Sequence, residues 1–170
     1  IQETKVHKSS IAILPFLDLS ENENQEYFSD GMTDAITLEL SKIDSLRVIS
    51  RTSSMRFKEG NILLTNIAKE LDVDYLLEGS VLYDNDSVSI IVQLIDPFPQ
   101  EDHIWQNTYN EKFENIISLI GNISNEIANE INATVLPIND YNSSYKVNVK
   151  AYNLYLKGRH IWNQNSDKNI

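Results

Sequence analysis

The sequence contains no cysteine, which excludes disulfide bonds, zinc sites built on thiolates and thiol nucleophiles. Positive charge is also scarce, because 14 lysine and arginine residues stand against 25 aspartate and glutamate residues, for a net charge of -11. Nucleic acids and anionic membranes attract clustered lysine and arginine. The composition therefore predicts no direct contact with either, and it favours solubility and permits cationic partners.

Long apolar runs are missing as well. None approaches the roughly 20 residues that a membrane-spanning helix requires, and no signal peptide is recognisable. The chain begins at Ile1 rather than methionine, so we expect a part of a longer protein, with any membrane anchor upstream. The sequence predicts no compartment. A hydrophobic fraction of 41% in 170 residues is enough for one compact domain with an additional segment.

The first half of the chain alternates apolar runs with helical periodicity. Residues 1–10 are polar and are interpreted as a tether. The runs Ile11–Phe16 and Leu46–Ile49 suit buried strands of a parallel sheet. Apolar residues recur at helical spacing after each run, at Phe28, Met32, Ile36 and Leu40 and again at Leu64, Ile67 and Leu71. Gly31 marks either the start of the first helix or close packing of that helix against the sheet.

The period then changes from helical to alternating. Residues 75–83 and 88–94 predict a β-hairpin around the turn signal at 84–86. Residues 103–110 predict a more polar strand at or near an edge. We therefore expect an α/β fold, with a mixed sheet of about five strands packed by helices. The first strand should lie centrally, flanked by the second and third, and the hairpin and polar strand should extend one edge.

The C-terminal third should contain two helices. A long amphipathic helix begins near Ile116 and is predicted to end near Pro137, and residues 137–149 are interpreted as a linker. Residues 150–170 turn helical again, with apolar positions at Tyr152, Tyr155, Leu156 and Trp162. A lone helix of this length is marginal in water. Its tyrosine and tryptophan face should therefore be buried on the domain or, in a homodimer through residues 150–163, on a second copy.

Six short segments within residues 9–136 form a further pattern: Ile11–Phe16, Glu26–Gly31, Val48–Ser53, Val73–Val81, Gln93–Asp96 and Ile104–Tyr109. Together they resemble the TolB-like N-terminal domain of bacterial regulators, which include CadC-type transcription factors and class III adenylate/guanylate cyclases. The domain would cover residues 11–136. Residues 151–158 resemble the opening helix of tetratricopeptide repeats, so residues 150–170 would begin a truncated repeat. The bulky segment Pro97–Pro99 departs from the family pattern.

The resemblance implies a non-catalytic regulatory or interaction domain of a larger bacterial signalling protein, linking an effector domain to helical repeats. Its partners would be proteins or neighbouring domains of the same chain. The resemblance implies no catalytic residue, and we expect no cofactor and no metal. The location would be the cytoplasmic or periplasmic side of a membrane-anchored parent.

One turn suggests an alternative function. Ser50, Arg51, Thr52 and Ser53 follow a strand and open a predicted helix, where free amides, hydroxyls and one arginine could hold a small anion or a nucleotide. The competing interpretation is ordinary helix capping, with Arg51 paired to a surface carboxylate. No glycine-rich phosphate loop accompanies the turn.

Other polar residues also allow two interpretations. Asp30, Asp34 and Glu39 could place carboxylates for acid–base chemistry or a divalent cation, but aspartate is also ordinary in a first helical turn. His7, His103 and His160 share no metal-ligand spacing. A hydrolase would require a serine or aspartate hydrogen-bonded to one of these histidines in a cleft.

Aromatic residues suggest interaction surfaces. Trp105 and Tyr109 share one face of a strand, where they would form a contact surface or pack beneath the long helix. Tyr152, Tyr155 and Trp162 are the corresponding candidates on the C-terminal helix. Glu78 is expected on the solvent face of its strand, with burial as the alternative.

Overall fold

The structure is a computed structural model that describes residues 8–20, 25–58, 61–84, 86–133 and 146–167. Its elements in chain order are β1 (Ser9–Ile13), β2 (Leu17–Asp18), α1 (Glu26–Leu40), β3 (Leu46–Val48), α2 (Arg51–Met55), α3 (Leu64–Leu71), β4 (Tyr75–Asp84), β5 (Ser87–Asp96), β6 (Asp102–Lys112), a short 3₁₀ turn (Phe113–Asn115), α4 (Ile116–Glu130) and α5 (Val149–Asp167).

The sheet is mixed and has the predicted order. Its strands run β3-β1-β4-β5-β6, with β2 beside β4, so the first strand lies inside the sheet, flanked by β3 and β4, and the hairpin and β6 extend one edge. β1 is parallel to β3 and β4, whereas β4, β5 and β6 are antiparallel. The α/β class and the strand order are therefore confirmed.

A sixth strand, β2, was not predicted from the sequence, and it forms because the chain leaves the sheet after β1 and rejoins it. After β1 the chain passes Pro15, which has no amide hydrogen to donate, and the Phe16 amide donates instead to Thr33 Oγ1 of α1. The chain then rejoins the sheet as β2, where Leu17 pairs with Ser80. Two residues are too few to show alternation, so β2 left no readable signal.

The sheet begins earlier than the polar composition suggested. Ser9 and Ser10 belong to β1, although residues 1–10 were predicted to be a tether. The Ser10 amide and hydroxyl both donate to Asp74 Oδ2, at 2.9 and 2.6 Å, and this satisfies the polar groups of a buried serine. Residues 1–7 lie outside the described part of the chain.

Each face of the sheet has its own core. Alternation along β1 sends Ile11 and Ile13 towards α1 and α4, and Ala12 and Leu14 towards α3. The larger core under α1 and α4 contains three stacked or tilted aromatic rings, those of Phe28, Tyr83 and Phe113. α5 joins this core through Leu156, which is 2% exposed.

β6 forms one edge of the sheet, and two irregularities occur along it. A register shift between Leu94 and Ile95 interrupts its pairing with β5. Farther along, the Thr108 amide donates to the side chain of the preceding residue, Asn107, at 2.8 Å.

Two helix features differ from the predictions. Gly31 lies inside α1, and its close packing partner is α5 rather than the sheet, because an added Cβ would lie 2.7 Å from Leu156 Cδ2. α4 ends at Glu130 rather than near Pro137, and Asn132 follows with a φ of 52°, a left-handed conformation that asparagine tolerates at helix ends. The interpreted linker falls mainly on residues 137–145, which lie outside the described residues.

Gly79 has no room for a side chain. A Cβ at this position would lie 2.7 Å from Phe16 Cζ and 2.8 Å from the Ile91 carbonyl oxygen. We expect Gly79→Ala to lower the free energy of unfolding by about 1–3 kcal/mol, because a buried ring and a sheet backbone must both move. Gly31→Ala is the matched comparison, since Leu156 can shift and alanine favours helix by about 1 kcal/mol. Equal urea denaturation midpoints for the two variants would contradict this expectation.

Candidate functional site

The C-terminal helix lies against α1 and forms the most elaborate polar interface in the described residues. Its apolar part is small. Leu156 packs onto Gly31, where the missing side chain lets the two helices approach closely. One turn earlier, the ring of Tyr152 meets Phe113 edge-on at 5.8 Å between centroids. These two contacts join α5 to the large core.

A hydrogen-bonded bridge continues the interface. Asn153 donates from Nδ2 to the Tyr83 hydroxyl at 2.9 Å, and its Oδ1 accepts from the Tyr27 hydroxyl at 3.3 Å. Both tyrosines are buried, so the amide of Asn153 satisfies two hydroxyls that would otherwise lack partners. Lys157 lies 5.0 Å from the centre of the Tyr27 ring, a cation–π distance.

Two buried carboxylates of α1 organise the rest of the interface. Asp30 is contacted by Lys58 Nζ at 2.7 Å and by His160 Nδ1 at 3.0 Å. Asp34 is contacted by Arg159 at 3.1 Å and by Arg51 Nε at 2.5 Å. We call these six residues, Asp30, Asp34, Arg51, Lys58, Arg159 and His160, the charge cluster. It ties α1, the α2 region and α5 together around two carboxylates that could not be buried alone.

The predicted Ser50–Ser53 turn borders this cluster. Ser50 caps α2, and its side chain accepts from the Ser53 amide. Arg51 turns towards α1, where its Nε contacts Asp34 without the alignment of a hydrogen bond, and its Nη2 lies 3.9 Å from Asp30. An anion at this turn would have to draw Arg51 away from both carboxylates. Anion binding at Ser50–Ser53 stays a prediction.

Burial and neighbouring charges shift the pKa values of three groups in and beside the charge cluster. Burial raises the pKa of Asp34, and the neighbouring charges of Arg51 and Arg159 reduce this rise without cancelling it. Burial alone would lower the pKa of Lys58, but hydrogen bonds from its ammonium to Asp30 and Glu26 outweigh burial and raise it. The hydrogen bond with Lys58 in turn lowers the pKa of Glu26. Lys58 thus stays charged, which matches its place between two carboxylates.

The contact between His160 and Asp30 bears on the hydrolase hypothesis. An aspartate that orients a histidine is part of a catalytic triad, whose histidine presents its other nitrogen to a nucleophile. Here His160 Nε2 lies 2.8 Å from the amide nitrogen of Gln164. If this amide donates, Nδ1 carries the proton and donates to Asp30, so both ring nitrogens are engaged within the interface. The geometry supplies an oriented histidine and no hydroxyl partner for it among the described hydrogen bonds.

Glu39 and Glu78, the other carboxylates singled out from the sequence, do not join this cluster. Glu39 lies towards the far end of α1 and pairs with Lys42 at 2.6 Å. Glu78 lies on the sheet face away from α1 and α4, opposite Gln93, and burial raises its pKa. No group of three or more potential metal ligands occurs among the residues that the structure describes. His103 follows the start of β6, far in the chain from His160.

Trp105 and Tyr109 lie beneath α4. Both are half-buried and pack against the large core, and the Tyr109 hydroxyl donates to Glu126 of α4 at 2.8 Å. Asn107, between them, donates to the same carboxylate. This placement suits packing beneath the long helix, and their role as a contact surface stays a prediction.

The aromatic residues of α5 separate into two groups. Tyr152 is half-buried against the core, whereas Tyr155 is 52% and Trp162 is 74% exposed. The helix therefore docks on its own domain, as one alternative predicted, but through Tyr152 and Leu156. Burial of Tyr155 and Trp162 on a second chain stays a prediction.

Tyr152 should make the interface sensitive to alkaline pH. Burial raises its pKa from 10.0 to about 12, whereas in an unfolded chain it ionises near pH 10. The folded state therefore holds the proton longer, and the stability that this provides is lost as pH rises from about 10 to 12. We expect Tyr152→Phe to flatten the fall of unfolding free energy across this window, measured by urea denaturation. Tyr109, whose pKa is also raised, leaves a residual slope; an unchanged slope would contradict the assignment to Tyr152.

Sequence reasoning grouped Asp30 and Asp34 with Glu39 on one helix and treated Arg51 separately, so it did not bring Arg51 to these carboxylates. It missed Lys58, Asn153 and Arg159 as members of the interface. A usable signal was present in α5, where polar residues Asn153, His160 and Asn163 recur at helical spacing on the face that carries Leu156. Within the described residues, no helix combines the length and apolar character needed to span a membrane.

Comparison with known proteins identifies one family. The model of the family described as "HilA/YgeH-like transcriptional regulator, second domain" matches residues 7–121. A protein of Rhizobium meliloti (strain 1021) named "Putative adenylate cyclase 3" is 34% identical over 154 residues, which are 89% of this chain. The match covers 26% of that protein, so the chain spans about a quarter of the length of this relative.

Solved structures share the fold. TolB from Acinetobacter baumannii aligns with a TM-score of 0.54 at 16% identity, over 74% of this chain and 28% of TolB. Lipoprotein GNA1162 from Neisseria meningitidis aligns with a TM-score of 0.50 at 17% identity, over 75% of this chain and 99% of the lipoprotein. The TolB-like fold expected from the sequence is thereby supported, and at these identities the likeness concerns the fold alone.

Proposed function

We propose that this chain, which belongs to the HilA/YgeH-like transcriptional regulator second-domain family, is a non-catalytic regulatory domain of a larger signalling protein. The family match supports the regulatory role. The relative named as an adenylate cyclase supports a signalling parent, which would be a transcription regulator or a nucleotide cyclase. In either parent this domain would act on proteins or on neighbouring domains of its own chain.

The docking of α5 on α1 carries the proposal. α5 is held by a polar interface in which each buried charge needs its partner, so a rearrangement of α1 that separates these partners would weaken the docking of α5. We propose that α5 connects the domain to helical repeats and is itself the opening helix of a tetratricopeptide repeat. The domain would then relay its state by holding or releasing this helix, a two-state element of the kind that regulation requires.

The Gly31–Leu156 contact provides the test. In the natural protein that carries this chain, Gly31→Leu places a bulky side chain where Leu156 packs and should release α5, whereas Gly31→Ala should not. We expect at least about a fivefold change in effector output for Gly31→Leu alone, a typical size for coupling between sites. Output is measured as target transcript or cyclic nucleotide, at equal protein amounts.

Hydrogen exchange of the α5 amides shows whether the helix has been released. If α5 exchanges freely in Gly31→Leu and effector output still equals that of Gly31→Ala, the relay proposal is wrong. A purified domain that turns over ATP, GTP or a general esterase substrate would contradict the non-catalytic part separately.

A further inference from the structure

A cleft of about 1010 Å³ lies at the end of the sheet where β1, β3 and β4 begin. Its walls come from the residue before β1, the start of β3, the last turn of α3 with its connection to β4, and the connection between β5 and β6. The volume is at the upper end of the range for small-molecule sites, about 300–1,000 Å³. We call it the strand-start cleft, and the Ser50–Ser53 turn lies beyond the opposite end of β3.

The buried part of the strand-start cleft is mainly apolar. Leu46, Ala68 and Val73 line it and are 6%, 0% and 5% exposed. Phe98 lines it as well, and its ring is 38% exposed, so a molecule in the cleft can reach this ring. Aromatic rings that stack or meet edge to face gain more than the burial of their area alone. The cleft therefore suits the flat, aromatic part of a small molecule.

Both carboxylates of the cleft already have partners. Asp74 Oδ2 accepts from the amide and from the hydroxyl of Ser10, at 2.9 and 2.6 Å. Arg47 donates to the backbone oxygen of Asp72 and lies 3.5 Å from its carboxylate. These contacts join the starts of β1 and β3 to the connection between α3 and β4, so these four residues have a structural role.

Two lysines of the cleft have no such partner. Lys8 and Lys69 are exposed, and neither forms a hydrogen bond or an ion pair with any residue that the structure describes. With Arg47 they bring three positive charges against the two negative charges of Asp72 and Asp74, in a chain whose net charge is -11. A local surplus of positive charge on an acidic protein attracts an anion to this cleft in preference to the surrounding surface.

We propose that the strand-start cleft binds a small aromatic anion, with its ring against Phe98 and its anionic group on Lys8 and Lys69. An inorganic anion would leave the apolar lining unused, and a neutral aromatic molecule would leave both ammonium groups without a partner. A nucleic acid is disfavoured, because its long polyanion would extend beyond the cleft onto a chain of net negative charge.

The site is separate from the helix interface described above. Ala68 and Val73 belong to the core under α3, whereas Leu156 of α5 joins the core on the opposite face of the sheet. Binding in the strand-start cleft therefore does not depend on the proposed relay through α5, and either proposal can fail without the other.

Isothermal titration calorimetry of the whole chain tests the class of ligand. Naphthalenesulfonate, which has an aromatic body and one anionic group, should bind saturably with one molecule per chain. Inorganic phosphate lacks the ring and naphthalenemethanol lacks the charge, so we expect dissociation constants at least about tenfold higher for both. Equal binding of naphthalenesulfonate and naphthalenemethanol, or no saturable binding of naphthalenesulfonate at millimolar concentration, would overturn the proposal.

Substitutions of exposed side chains locate the site and leave the fold intact. Lys69→Ala and Phe98→Ala should each raise the Kd for naphthalenesulfonate at least about fivefold, whereas Lys69→Arg should keep it within about twofold. Lys150→Ala and Trp162→Ala change an exposed lysine and an exposed aromatic residue of α5, and these controls should bind normally. Binding that survives both cleft substitutions, or that is lost in the controls, would place the ligand elsewhere and contradict the assignment.

Adenosine monophosphate and phenylacetate distinguish two sources of such an anion, a nucleotide and an aromatic acid. Each is titrated into the wild-type chain and into the Lys69→Ala and Phe98→Ala variants. Binding of either compound that weakens at least about fivefold in both variants supports the proposal and identifies the source. If both compounds bind equally well to all three chains, the proposal is wrong.

Discussion

Asp30→Ala should destabilise the protein by about 3–5 kcal/mol, the usual cost of removing one partner from a buried ion pair. The carboxylate of Asp30 is 6% exposed and faces Lys58, Arg51 and His160. Without it, Lys58 keeps only Glu26 and Arg51 keeps only Asp34 as a carboxylate partner at the junction of α1 and α5. Urea denaturation gives the free energy of unfolding.

Asp30→Asn removes the negative charge at this position and keeps nearly the same side-chain shape. The amide can still accept from His160 but offers Lys58 no ion pair, so we expect an intermediate loss. Hydrogen exchange should show that α5 becomes accessible before the sheet does, because α5 reaches the domain through this cluster. A stability of Asp30→Ala within about 0.5 kcal/mol of wild type would mean that the cluster is not a stabilising element.

Phe113→Ala should cost about 3–5 kcal/mol through a different mechanism, the opening of a cavity. Its ring is fully buried and lies 5.5 Å from Phe28, 5.2 Å from Tyr83 and 5.8 Å from Tyr152, measured between centroids. The substitution thus removes a central member of the core and the aromatic contact that holds the start of α5.

Phe98→Ala is the matched control, because this ring is 38% exposed in the connection between β5 and β6. We expect it to change stability by less than about 0.5 kcal/mol. Equal losses for the two phenylalanine variants, measured by thermal and urea denaturation, would show that the ring cluster is not the centre of the core.

The sheet could be predicted because its signals are local. The apolar runs of β1 and β3, the helical repeats between them and the alternation of β4 and β5 each occupy a few consecutive residues. Their order then restricts the topology through parallel crossovers and a hairpin. β2 could not be predicted because a strand of two residues is too short to show an alternating pattern.

The charge cluster could not be predicted in the same way, since its contacts join distant parts of the chain. His160 lies 130 residues from Asp30. From the local sequence, Asp30 and Asp34 could be ordinary residues of a first helical turn. Whether they are buried instead depends on whether α5 packs on α1, which the local sequence does not indicate. The role of Gly31 also depends on the packing of α5, because the side chain that a Cβ at this position would meet is Leu156 of α5.

The edge strand β6 affects how copies of the domain associate when they are concentrated. An open strand normally offers a row of free amides and carbonyls on which another strand can grow. Here the Thr108 amide donates to the side chain of Asn107. The register shift at Leu94/Ile95 interrupts the regular pairing of β5 with β6. These two irregularities leave β6 a less regular template for a further strand, which disfavours sheet-to-sheet association of neighbouring copies.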